Sequence, residues 1–166
     1  MKKLRTFLFF SLIATLLTAC SGGTHEYKQT RETVVAAPSS AKAVSVEMTE
    51  RLVLKPEGDL IEEMEYEIKV KLDGEDPEAV TEVFEDQSNS VKSSLGELSP
   101  TDGIEVTTKF DPEKHETYLH FLFQVNENTI DQISFYLPFM VPEGNKAIKT
   151  EEALKAIENN GFEKVK

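Results

Sequence analysis

Cysteine is nearly absent from this sequence: Cys20 is the single thiol in 166 residues. A lone cysteine excludes an internal disulfide, and it excludes redox or iron–sulfur chemistry that needs several thiolates. The N-terminal apolar stretch is also short, because Phe7 to Leu17 covers about 11 residues and a membrane-spanning helix needs about 20. The sequence therefore predicts neither a disulfide-stabilised domain nor a transmembrane helix at its N-terminus.

Catalytic signatures are lacking as well. The sequence contains no serine nucleophile elbow, no phosphate-binding glycine loop and no paired cysteine ligands. His115 and His120 are five residues apart, whereas the helical zinc-protease motif needs histidines four apart, with both rings on one face. On a strand, an odd separation sends two side chains to opposite faces. We therefore predict no metal, no cofactor and no catalytic residue.

The N-terminus has the features of an export signal. Lys2, Lys3 and Arg5 precede the apolar run, which ends in Leu17-Thr18-Ala19-Cys20. This ending resembles the lipobox of bacterial lipoproteins, in which small residues before a cysteine permit lipid transfer and then cleavage. We predict a cleaved signal peptide over residues 1–19, lipidation of Cys20, and attachment to the outer side of the cell membrane. If the envelope has two membranes, Ser21 favours the outer one.

Charge and composition describe the chain that follows. The formal charge is −12, and removal of the three basic signal residues changes it to −15, which argues against nucleic acid as a partner. Residues 20–43 are rich in small and polar residues with few large apolar side chains, so we predict a disordered tether there. Residues 44–166 are enough for one core, and we predict a single domain over that range.

Hydrophobic periodicity predicts the elements of this domain. Residues 46–54 and 64–72 alternate with period two, as half-buried strands do. Asp76-Pro77-Glu78 predicts a helix start, and strands over 104–110 and 116–125 follow that helix. An aromatic segment broken by prolines and a helix from Thr150 complete the chain. The pattern predicts an α+β fold, an antiparallel sheet of about four strands in the order ββαββ(α)α with helices packed on one face.

The best candidate for a ligand or partner surface combines the aromatic segment, residues 130–141, with the strand before it. A contiguous apolar patch can form a pocket or a protein-binding surface. Alternate polar residues of the preceding strand would supply hydrogen-bonding groups to that patch. The predicted surface comprises Tyr118, His120, Gln124, Phe135, Tyr136 and Phe139.

A row of carboxylates forms the second feature that could attract ligands. Glu63, Glu65 and Glu67 share one face of the second predicted strand, where they alternate with the apolar residues that begin at Met64. Calcium needs about six to eight oxygens around one point, and a straight row of carboxylates does not wrap an ion. We therefore interpret this row as a solvated face.

The mature domain resembles the YehR-like family of small bacterial lipoproteins. The resemblance rests on the lipobox cysteine Cys20, the turn at Gly58-Asp59, and the terminal helix Glu152 to Ile157 followed by Gly161-Phe162-Glu163-Lys164-Val165-Lys166. It implies an α+β domain with a lipid anchor, and it supplies no catalytic residues to carry over. The aromatic segment and the longer predicted tether depart from the family pattern.

Taken together, these features predict a non-enzymatic binding or interaction module at the cell envelope. It would be attached to the membrane through lipid on Cys20, with an envelope protein or a small ligand as its partner. Two alternatives stay open from the sequence. One is a hydrolase of envelope material that uses carboxylates or His120, and the other is a cation-binding module.

Overall fold

A computed structural model describes residues 23–96, 102–141 and 144–165 of the chain. The strands are β1 (His25–Ala36), β2 (Ala43–Glu57), β3 (Leu60–Asp73), β4 (Ile104–Asp111), β5 (Glu116–Gln124) and β6 (Glu163–Lys164). The helices are α1 (Pro77–Gly96), α2 (Ile130–Tyr136) and α3 (Thr150–Asn159). The predicted signal peptide, residues 1–19, and Cys20 lie outside the described residues.

The strands form one sheet in the order β4-β5-β3-β2-β1-β6, and every neighbouring pair is antiparallel. β3 pairs with β2 on one side and β5 on the other. Successive strand side chains point to opposite faces, so the apolar residues at 64, 66, 68, 70 and 72 share one side of the sheet. The strand predicted over residues 64–72 is therefore confirmed.

The prediction of about four strands in ββαββ(α)α order is wrong. The described residues form six strands and three helices in the order βββαββααβ, and β1 and β6 are the additions. β1 lies within residues 20–43, so the predicted disordered tether is wrong from His25 onward. The prediction failed because all 12 residues of β1 pair with β2, and backbone hydrogen bonds hold a strand that has few apolar side chains.

All three helices cover the same side of the sheet, which carries the apolar side chains of β3 and which we call the inner face. α1 packs Val80 and Phe84 against Val70 and Leu72 in one cluster. α2 and α3 belong to a larger cluster whose buried members include Leu52, Met64, Phe121, Ile133 and Ile157. Ile68 contacts both clusters, so the inner-face core is continuous. No described helix combines the length and apolarity needed to cross a bilayer.

The aromatic segment, which the sequence left unassigned between a helix and irregular chain, begins as α2. The Thr129 hydroxyl stabilises the turn before α2 by donating to the Gln124 carbonyl oxygen at 2.7 Å. α2 ends at Tyr136, and Pro138 follows it in irregular chain, where proline needs no helical hydrogen bond. Ile133 and Leu137 are buried, so the segment belongs largely to the core.

One carboxylate is buried on the inner face. The Tyr66 hydroxyl donates a hydrogen bond to Glu50 Oε1, and Arg31 Nε lies 3.5 Å from Glu50 Oε2. Burial, together with the neighbouring Glu50 carboxylate, raises the pKa of Tyr66 well above its usual range. Glu50 is therefore an ion-paired and hydrogen-bonded member of the core rather than a free acid.

A matched pair of phenylalanine truncations tests the assignment of the inner face. Phe121 is 1% exposed and Phe135 is 78% exposed. We expect Phe121→Ala to lower the free energy of unfolding by about 3–5 kcal/mol, because it removes a ring from the core and leaves a cavity. Phe135→Ala should change it by less than about 0.5 kcal/mol. Urea denaturation of both variants measures the difference, and equal losses would contradict the packing described.

Candidate functional site: the open face of the sheet

The side of the sheet opposite the helices carries polar and charged side chains. Every described helix contributes to clusters on the inner face, so this side is left to solvent. We call it the open face. Its central residues, on β2, β3 and β5, are Arg51, Lys55, Glu63, Glu65, Glu67, Lys69, Tyr118, His120 and Gln124.

Antiparallel pairing aligns these side chains in rows across the strands. Arg51 on β2 faces Glu67 on β3, and Glu67 faces His120 on β5. Thr107 on β4 extends the same row beyond His120. Residues directly opposite each other have Cβ atoms about 4.5–5.5 Å apart, which is close enough for direct contact between long side chains. The rows therefore place acids, bases and an imidazole in reach of one another.

Arg51 joins two carboxylates of the open face. Its Nε lies 2.7 Å from Glu26 Oε1, and its Nη1 lies 3.2 Å from Glu67 Oε1. The hydrogen bond from Arg51 lowers the pKa of Glu26. The guanidinium therefore links β1, β2 and β3 through their outward side chains.

Lys55 makes a second junction beside the first. Its ammonium group contacts the Glu63 carboxylate and lies 2.9 Å from Glu65 Oε1. Gln124 donates a further hydrogen bond to Glu63 Oε2 at 2.8 Å. The three glutamates of β3 are thus paired with bases from β2, and the interpretation of this row as merely solvated is incomplete.

His120 completes a group of three potential metal ligands. Its Nε2 atom lies 3.8 Å from Glu65 Oε2. Glu65, Glu67 and His120 each offer one ligand atom within 4.8 Å of the other two. All three side chains are half-buried. The prediction of no metal stays a prediction, but the sequence did not indicate that these three side chains converge, because it did not reveal which strand lies beside β3.

Two depressions lie on the open face. One, of about 720 Å³, is lined by residues that include Lys69, Glu116 and Tyr118. The other, of about 320 Å³, lies near the β1–β2 turn and includes Glu32, Val34 and Lys71. Both have mixed polar and apolar linings, and neither is lined by His120. His120 therefore lies outside both of these depressions.

The predicted surface that joined the aromatic segment to polar residues of β5 is wrong, because the sheet separates its two halves. Tyr118, His120 and Gln124 lie on the open face. Tyr136 instead packs against Phe121 on the inner face, with ring centroids 4.7 Å apart. Phe139 packs against Phe162 at 6.0 Å, while Phe135 is largely exposed.

His115 lies apart from His120, in the turn between β4 and β5. Its ring packs edge-on against Phe84 of α1, with centroids 5.8 Å apart, and its Nε2 lies 3.3 Å from the Thr81 hydroxyl. Contact with α1 places this ring beside the inner face, whereas His120 points to the open face. The two histidines therefore belong to different environments.

Sequence reasoning missed the bases that organise the open face. Arg51 and Lys55 share the parity of the outward positions on β2, which a period-two assignment would have revealed. Their partners on β3 follow only from the register of the β2–β3 hairpin. That register shifts between Lys55 and Pro56, so counting back from the turn would misalign the strands.

Comparison with known proteins provides little beyond this geometry. No family model matches the chain, and no curated protein is significantly similar to it. A solved structure that resembles it is the NMR structure of a protein from Streptococcus pneumoniae TIGR4, with 14% identity and a TM-score of 0.44. The match covers 87% of this chain and 86% of the other. The resemblance to the YehR-like family stays a prediction.

The charge pairing of Glu63 predicts a measurable pKa change. Hydrogen bonds from Lys55 and then Gln124 lower the pKa of Glu63. A carboxyl with a lowered folded-state pKa contributes stability above its unfolded pKa of about 4.3, and this contribution is lost as the pH falls through the folded value. We expect Lys55→Met to raise the Glu63 pKa and to lessen the loss of stability on acidification.

The measurement is a carbon-13 NMR titration of the Glu63 carboxyl together with urea denaturation at neutral and acid pH. Lys155→Met is the matched control, because Lys155 pairs with Glu151 on α3, 2.6 Å away. It should leave the titration of Glu63 unchanged. An unaltered Glu63 pKa in Lys55→Met would contradict the pairing.

Proposed function

We propose that the chain is a bacterial envelope lipoprotein, attached through lipid on Cys20, whose folded part is a non-enzymatic binding module. The lipobox at residues 17–20 supports the anchor, and it supports a location on the outer side of the membrane. The partner is an envelope protein or a small ligand that meets the open face. The proposed membrane attachment needs no spanning helix, because acyl chains supply it.

The open face is the observation that carries the proposed binding role. It combines a sheet surface left clear by the described helices with ion pairs and depressions. Paired charges on rigid strands present a defined electrostatic pattern. Such a pattern contributes more to the specificity of binding than to its affinity. A polar partner would therefore fit this surface better than an apolar one.

The position of β1 sets how far the domain can lie from the lipid. β1 begins at His25, five residues after Cys20. Five extended residues span at most about 18 Å. The proposed lipid would thus hold the start of β1 close to the membrane surface, and the domain is not carried on the long tether that the composition of residues 20–43 suggested.

A hydrolase that uses His120 is the second candidate, because two carboxylates lie near its ring. The Nε2 to Glu65 Oε2 distance of 3.8 Å exceeds a hydrogen bond, and the ring lines neither of the two depressions described on the open face. General acid–base catalysis benefits from a site that positions substrate and excludes water. The geometry therefore favours binding over hydrolysis.

Replacement of Cys20 tests the anchor. In cells that express the full chain, we expect Cys20→Ala to abolish lipid labelling. We also expect most of the variant protein to be lost from the lipid-anchored membrane fraction that detergent extracts. Incorporation of a labelled fatty acid and membrane fractionation provide the measurements. Conversion of Ser11 to Ala, within the apolar run, is the control and should leave labelling intact. Unchanged lipid labelling in Cys20→Ala would overturn the anchor.

Crosslinking in intact cells tests the open face as the binding surface. A photo-crosslinking amino acid at Thr107 should capture a discrete partner, whereas the same group at Glu151 on α3 should not. Lys69→Glu should weaken that capture because it reverses a charge on the open face, where Lys69 pairs with Glu116 at 3.0 Å. Lys155→Glu, the matched change on α3, should not. Equal effects of the two reversals would contradict the proposal.

A further inference from the structure

We propose that Glu65, Glu67 and His120 form a binding site for a divalent first-row transition-metal ion of the zinc class. We call these residues the Glu–Glu–His site. The inference deepens the proposed function, on which it rests, because it assigns a ligand to the open face. Its physical basis is separate, since the three side chains converge whether or not Cys20 carries lipid.

The backbone places the three ligands on two adjacent strands. Glu65 and Glu67 are two residues apart on β3 and therefore share a face, while His120 lies directly opposite Glu67 on β5. The three ligand atoms lie within 4.8 Å of one another. Ligands about 2.0–2.2 Å from a zinc ion lie roughly 3.3–4.3 Å apart, so small side-chain rotations are enough to close the site. Strand-mounted ligands keep such a geometry better than loop-mounted ones.

Neighbouring bases orient the two carboxylates. Lys55 holds Glu65 Oε1 at 2.9 Å, and Arg51 holds Glu67 Oε1 at 3.2 Å. The Lys55 contact leaves Glu65 Oε2 beside His120 Nε2, 3.8 Å away. The Tyr118 hydroxyl donates a further hydrogen bond to the Glu67 carboxylate. Outer contacts of this kind commonly fix the direction of metal ligands. The bases around the site thus support the two glutamates.

The local charge favours a dication. Four carboxylates surround the two bases, namely those of Glu26, Glu63, Glu65 and Glu67 around Arg51 and Lys55. Four negative and two positive formal charges leave −2 on these six groups. A bound divalent ion would balance that charge.

An apolar residue lies next to these ligands. Val53 pairs with Glu65 across β2 and β3, and it is only 5% exposed although it lies on the open face. The long side chains around it therefore keep water from the floor of this surface.

The ligand set selects among metals. An imidazole nitrogen with carboxylate oxygens suits zinc and its first-row neighbours, whereas calcium and magnesium prefer oxygen ligands alone. Three protein ligands leave at least one position open to water or to a donor from a partner. A metal in the open face would therefore link this module to a partner through a shared coordination shell.

Isothermal titration with zinc chloride tests the site on the full chain in detergent. All samples carry Cys20→Ser, so no thiolate competes and the result does not depend on lipidation. We expect one zinc ion to bind per chain, and His120→Ala and Glu67→Gln each to weaken binding at least about tenfold. Calcium or magnesium in the same titration should produce no comparable binding.

His115→Asn is the matched control, because it removes the histidine that packs on α1, and asparagine tolerates the positive φ of 50° at this position. Its zinc affinity should equal that of the parent. Far-ultraviolet circular dichroism verifies that each variant is folded, and a cobalt absorption spectrum provides a second readout of imidazole ligation. Absence of zinc binding to the folded parent, or equal affinity in His120→Ala, would overturn the site while leaving the lipid-labelling and crosslinking outcomes intact.

Discussion

The alternation of side chains along β3 is the constraint on which the rest of the structure depends. Its even-numbered residues are apolar from Met64 to Leu72, while Glu63, Glu65 and Glu67 occupy odd positions. Because strand side chains alternate between faces, burial of the even set against helices leaves the odd set on the other side. A shift of one residue in register would bury the acids and expose the core. The inner face and the open face are therefore two results of one pattern.

The open face shows how a strongly acidic chain organises its carboxylates. Arg51 and Lys55 each contact two glutamates, so the carboxylates next to these bases are balanced in part and oriented. Surface pairs of this kind add little stability one at a time, because solvent screens them. Their greater consequence is geometric, since they hold carboxylate oxygens in a defined arrangement beside His120. Stability comes mainly from the inner face, and the chemistry available for binding lies on the open face.

The predictable parts of the fold were those in which local pattern and tertiary environment agree. The β3 alternation and the Asp76-Pro77 helix start were visible, and in the structure Asp76 Oδ1 accepts a hydrogen bond from the Ala79 amide at 3.0 Å. β1 was not visible, because its polar residues acquire partners only when β2 is alongside. The predicted surface that combined Tyr136 with His120 was wrong because it, too, depended on tertiary structure. Chain proximity suggested contact, but the sheet lies between the two rings.

The sequence by itself determined the position of the single cysteine, the excess of negative charge and the parity of each strong strand. These properties depend on residues close together in the chain. Only the tertiary structure decided that β5, rather than another strand, lies beside β3, and that Glu65, Glu67 and His120 meet. Such contacts depend on strand order and register, which are set by packing of the whole inner face. That packing sums many weak apolar contacts across distant segments, so no single local pattern encodes it.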